Sequence, residues 1–132
     1  DAVGETCTAA ENHGQLLEAG RALAAAGDFE RAAALHGQAA AQVPNSVNAR
    51  LSLLVSLQLG GRFEEMIPHA RRVMEMLPDD PQVLRFAIQS GVWGGDPDLA
   101  EAGYQSLLAA DPRQAEAARR FIDNAPPAPP RR

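Results

Sequence analysis

The chain has no lysine, and all 12 of its basic residues are arginine. Every cation is therefore a planar fork of donors, suited to carboxylates and aromatic faces. The bias reads first as GC-rich coding and implies a bacterial source. Cysteine is almost missing as well: Cys7 stands alone, which excludes an internal disulfide and a thiolate metal cage. Aromatic residues make up only 5% of the sequence, with Trp93 the single tryptophan. No run approaches the roughly 18 apolar residues of a membrane-spanning helix, and no basic segment followed by an apolar core marks a signal peptide. The chain begins at Asp1 without a methionine, so it is read as a processed or excised portion, such as the exported or periplasmic part of a bacterial protein. Excess positive charge is absent too. A net charge of -5 argues against a nucleic-acid partner, because phosphates call for a basic face.

What is present is ordinary in bulk and periodic in detail. With 132 residues, 45% hydrophobic and 22% charged, the chain suits one domain with one core. The stretch Gly27-Asp28-Phe29-Glu30 returns as Gly61-Arg62-Phe63-Glu64 and again as Gly95-Asp96-Pro97-Asp98, each time after 34 residues. Pro44, Pro78 and Pro112 keep the same step. Two independent punctuation marks sharing one period in this range signify stacked helix-turn-helix units.

Helical stripes fill the spaces between the marks. Leu16, Ala19, Gly20 and Leu23 share one face of a helix over about 9–26, and Ala32, Leu35, His36 and Ala39 share one face of the next. Leu53, Leu54 and Leu57, then Met66, Ala70 and Val73, repeat the arrangement, with Pro68 expected to bend its helix. In the third unit Asp80-Pro81 and Asp96-Pro97 are helix starts with an acidic cap and proline in the first turn. Leu84, Ala87, Ile88 and Gly91 face Ala100, Tyr104 and Leu107. A last helix over about 113–124, with its stripe Ala115, Ala118, Phe121 and Ile122, covers the open end of the array. The sequence thus divides into a flexible lead-in over 1–8, a helical domain over 9–124 and a proline-rich tail over 125–132. The tail is expected to run out into solvent as polyproline II.

Chemistry-bearing clusters are scarce. His13, His36 and His69 fall in different units with no carboxylate or cysteine at ligand spacing, so neither metal nor catalytic site is expected. His36 reads as a satisfied structural histidine. Glu64-Glu65 and Asp79-Asp80 suit the positive ends of helices, and Arg71-Arg72 and Arg119-Arg120 read as solvated faces. The chain is read as no enzyme and as carrying no cofactor.

These repeats resemble the tetratricopeptide repeat family. The unit over 13–46 matches with Leu16, Ala19, Gly20, Leu23, Ala32, Ala39 and Pro44. The unit over 47–80 keeps Leu53, Leu57 and Pro78 but has Arg50, Leu54 and Met66 at other signature sites, and that over 81–114 keeps Leu84, Ala100, Tyr104 and Pro112 but has Gly91 at a bulky site. Larger residues at Leu54 and Met66 imply a looser or differently angled stack there.

The resemblance implies an all-α, right-handed solenoid of three hairpins plus a capping helix. It also implies a concave surface lined by the first helix of each hairpin, where a protein or peptide partner binds. The in-phase residues are Leu17, Arg21, Leu51, Val55, Leu59, Arg85, Gln89 and Trp93: the apolar ones for contact area, the arginines for carboxylates or backbone carbonyls. A clamp for the tails of heat-shock chaperones is disfavoured, because of its matching positions Leu17, Arg21, Ser52, Gln82 and Phe86 only Arg21 is cationic. Bacterial relatives of this size serve as pilus or secretion accessories, assembly chaperones or scaffolds. The alternative is a structural subunit that self-associates as a homo-oligomer, or docks through convex or end-helix faces.

Overall fold

A computed structural model describes residues 9–132; the lead-in and Cys7 lie outside them. The described residues form seven helices and no strand: α1 (Ala9–Ala25), α2 (Phe29–Gln42), α3 (Val47–Leu59), α4 (Phe63–Met76), α5 (Pro81–Gly94), α6 (Pro97–Ala110) and α7 (Pro112–Asn124). The chain is all-α, as the hydrophobic stripes predict.

The turns carry the sequence period into the backbone. Gly27, Gly61 and Gly95 take positive φ angles of 84°, 71° and 89°. The residue after each donates its N–H to a carbonyl five positions back: Asp28 to Leu23 at 2.9 Å, Arg62 to Leu57 at 2.9 Å and Asp96 to Gly91 at 2.8 Å. In this helix ending a left-handed residue turns the chain away while carbonyls of the last turn keep a donor. The alternate turns use proline instead. Val43, Leu77 and Asp111 end α2, α4 and α6, each donating to the carbonyl four back, on Ala39, Val73 and Leu107. Pro44, Pro78 and Pro112 then keep the preceding residue out of the α region.

Helix starts follow the acidic signals. Asp28, Asp80, Asp96 and Asp111 all accept backbone N–H bonds through their side chains, and Ser46 does so for Ala49 at 3.1 Å. Arg62, at the position equivalent to Asp28, makes no side-chain cap bond. Asp111 closes α6 and caps α7 at once, so α7 starts at Pro112 with no loop before it. Within α4 the helix continues through Pro68 from Phe63 to Met76, and the proline removes one backbone donor without ending the element.

Two compact units make up the chain, the first ending at Ser56 and the second beginning at Leu57. In the first, α1 packs on α2 and a core forms from Leu17, Ala39, Ala40 and Ala49, with Leu16 against it. In the second, α5 is the hub, packed against α4, α6 and α7. Its Leu84 and Ile88 join Leu107 and Ala115, flanked by Met74, Val92, Tyr104, Phe121 and Ile122.

Small residues bring α5 and α6 close together. A Cβ on Gly91 would stand 2.6 Å from the Ala100 nitrogen, and one on Gly103 would stand 3.0 Å from Ile88 Cγ1. Gly91, which departs from the expected bulky residue, is thus a point of close helix approach. Leu54 and Met66, also departures, are completely buried.

The tail corrects an expectation. Residues 125–132 form no helix, as their prolines require, but they do not run free into solvent. Ala125 ends α7 in the left-handed region at φ 41°, which turns the chain back. Trp93 Nε1 then donates to the Pro126 carbonyl at 2.8 Å, the Arg132 N–H donates to the Gly60 carbonyl at 2.8 Å, and Arg131 pairs with Glu65 at 2.9 Å. The proline-rich backbone accepts from Trp93, while Arg131 and Arg132 donate to Glu65 and to the Gly60 carbonyl.

Candidate functional site

Each unit holds an open hollow between its helices. In the first unit the hollow of about 250 Å³ is lined by Arg21 and Ala24 of α1, His36 of α2, and Leu51, Ser52, Val55 and Ser56 of α3. Its floor is the buried pair His36 and Ser56, 2% and 1% exposed. His36 Nε2 lies 3.4 Å from the Leu17 carbonyl, which can only accept, so Nε2 carries the proton and donates. Nδ1 is then the acceptor, taking the Ser56 hydroxyl proton at 2.9 Å. Burial lowers the His36 pKa below 6.5, the Leu17 hydrogen bond opposes this, and the nearby Arg21 charge adds to the lowering. The imidazole is a neutral, bonded floor. Above it stand the half-buried Leu51 and Val55 and the exposed Arg21.

The second hollow, of about 290 Å³, lies between α5 and α7 and is lined by Arg85, Ile88, Gln89, Gln114, Ala117, Ala118 and Phe121. Arg85 donates to Gln114 Oε1 across its mouth, while Gln114 donates to Asp111 at 2.7 Å. Gln89 accepts from Gln58 at 2.7 Å. The helices thus set an arginine at the edge of an apolar wall, as in the first unit. Leu51 and Arg85 are one period apart, as are Val55 and Gln89.

No protein-family model and no curated protein matches the chain.

Of the residues singled out from sequence, the structure brings Arg21, Leu51 and Val55 together in one hollow and Arg85 and Gln89 in the other. Leu17 is corrected. It is 4% exposed and packs with Ala39, Ala40 and Ala49, because α1 turns that side toward α2, so it offers no surface to a partner. Leu59, 45% exposed, lines neither hollow.

Trp93 lies apart as well. It is half-buried, with ring centroids 4.7 Å from Phe63 and 5.1 Å from Phe121, and its indole N–H is taken by the tail.

The sequence reading missed the share of α7 in the second hollow. Besides covering Leu107, α7 forms one wall of that hollow with Gln114, Ala117, Ala118 and Phe121. The stripe of Ala118 and Phe121 carried that signal.

Two of the arginines read as solvated, with side chains 50% and 33% exposed, also form surface ion pairs. Arg71 pairs with Asp96. Arg119 bonds Glu101 at 2.9 Å and Asp123 at 2.8 Å and lies 4.8 Å from the Tyr104 ring centre. Among the described residues no group of three His, Cys, Asp or Glu stands close enough to hold a metal ion, and no helix is long and apolar enough to cross a membrane.

Proposed function

We propose that the chain is a protein-interaction module of the tetratricopeptide kind, whose hollows receive an apolar peptide or helical segment bearing carboxylates. One observation carries this reading: residues one period apart recur at the walls of two hollows of similar size, about 250 and 290 Å³, each with an arginine at its edge. Apolar walls give contact area, and a guanidinium orients a carboxylate by charge-assisted, two-pronged hydrogen bonds. Arg21 and Arg85 are local positive points on a chain of net charge -5, which favours an acidic group at those edges. The role that fits is an assembly, scaffold or secretion accessory.

The test is capture of partners by the wild-type chain against a Leu51→Asp, Arg85→Glu double variant whose helicity is checked by circular dichroism. The proposal expects a wild-type partner that the variant fails to retain. Equal capture by both overturns it. Leu108 of α6, 43% exposed, favours a second reading, docking or self-association through a second-helix face. Light scattering separates the two, because that reading expects a concentration-dependent oligomer that Leu108→Glu disperses.

A further inference from the structure

The tail is held on the second unit at two places. At one, the Trp93 indole, set between Phe63 and Phe121, donates to the carbonyl of the half-buried Pro126. At the other, Arg131 pairs with Glu65 at 2.9 Å and the Arg132 N–H reaches the Gly60 carbonyl. The tail backbone lies directly on Gly61: a Cβ there would stand 2.6 Å from the Pro130 carbonyl oxygen and 3.0 Å from Arg131 Cα. Gly61 therefore serves two purposes, the left-handed turn after α3 and a bare surface on which another backbone can lie. Between the two places, residues 127–130 are exposed.

An aromatic donor, an acidic side chain and a glycine-floored strip of backbone form a receptor for an extended, proline-rich segment that carries arginine after its prolines. That is the general mode by which pre-extended proline segments dock on aromatic-lined surfaces. We propose that the face made by Gly60, Gly61, Glu65 and Trp93 is a binding site for such segments, and that the chain's own residues 126–132 are its resident competitor. The site is separate from the two hollows. The Arg131–Glu65 pair is exposed and the Trp93–Pro126 bond only part-buried, so a segment of the same chemistry from another chain displaces the tail rather than adding to it.

The tethering sets the size of the effect. A short flexible connection gives an effective concentration on the order of millimolar. If the site binds the free segment with a dissociation constant on the order of 100 µM, the resident tail weakens binding from outside roughly tenfold.

The experiment titrates a synthetic peptide of the sequence of residues 125–132 into the full chain and into a chain lacking residues 126–132. Emission of Trp93, the only tryptophan, is the readout. Removing the tail is expected to shift the emission to the red and to expose a saturable site that the peptide fills with return of the blue emission. The full chain is expected to bind roughly tenfold more weakly, and Glu65→Arg to abolish binding. If the shortened chain loses helicity, the full-length Arg131→Glu, Arg132→Glu variant takes its place, since charge repulsion from Glu65 releases the tail without shortening the chain. Unchanged emission on release of the tail, or equal peptide binding by tailed and released chains, overturns the proposal.

Discussion

Gly20 of α1 lies against the imidazole of His36 of α2 so closely that a Cβ on Gly20 would meet Nε2 and stand 2.5 Å from Cδ2. The ring fills the volume that a side chain at residue 20 would take, and α1 and α2 approach across it. Replacing a helical glycine by alanine ordinarily stabilises by about 0.5–1 kcal/mol. At Gly20 the clash reverses the sign, and Gly20→Ala is expected to destabilise by about 1–3 kcal/mol. Gly14 and Gly37, in the same two helices, have nothing within 4 Å of an added Cβ, so Gly14→Ala and Gly37→Ala are expected to stabilise. Denaturant midpoints of the three variants check the contrast.

Burial of His36 makes stability depend on pH. Its pKa is lowered from 6.5, first by desolvation, so the unfolded chain binds a proton that the folded chain resists. Stability is then complete above pH 6.5 and falls as pH drops from 6.5 toward the folded value. Asp96, Glu101 and Asp111 have pKa values lowered from 3.8, 4.5 and 3.8. Their contributions are present above those values and are lost only in stronger acid. Melting temperatures between pH 7.5 and 5.5 are expected to fall in the wild type and to stay nearly level in His36→Gln.

Ser56 donates its hydroxyl proton to His36 Nδ1 at 2.9 Å, in a site with almost no solvent access. Ser56→Ala leaves a buried acceptor without that partner, an effect of about 1–3 kcal/mol. The expected outcome is a lower denaturant midpoint with an unchanged slope. A loss under about 0.3 kcal/mol, far below that range, would contradict the hydrogen-bond assignment.

Ala125 ends α7 at φ 41°, where Gly27, Gly61 and Gly95 end α1, α3 and α5. The left-handed conformation costs a side-chain-bearing residue about 1–2 kcal/mol. Ala125→Gly is expected to raise the melting temperature, and Gly95→Ala, which has open space but the same backbone demand, to lower it.

Much of the fold was legible because its determinants are local. Glycine and proline impose backbone angles on themselves and their neighbours, so Gly27, Gly61 and Gly95 and the three prolines placed the turns, and Asp80 and Asp96 placed helix starts. Residues facing the hollows were partly legible: helical phase put Arg21 beside Val55, and Arg85 beside Gln89. Phase alone cannot distinguish the two flanks of a buried stripe, which is why Leu17 was assigned to the surface although α2 covers it. Contacts made by side chains far apart in sequence left no periodic trace. The indole of Trp93 and the carbonyl of Pro126, or Arg131 and Glu65, are invisible until the chain after α7 turns back at Ala125. The seat of the tail on Gly61 was hidden for a related reason, since a helix-ending glycine already had an explanation.

The proposed function requires that the walls of the two hollows, and not the exposed residues of α2 and α6, meet a partner. Photo-crosslinking with a benzophenone side chain placed in turn at Val55, Gln89, Glu30 and Asp98 tests it most directly. Val55 and Gln89 are expected to join to the same partner protein while Glu30 of α2 and Asp98 of α6 join to none. Crosslinks from Glu30 and Asp98 with none from Val55 and Gln89 would contradict it.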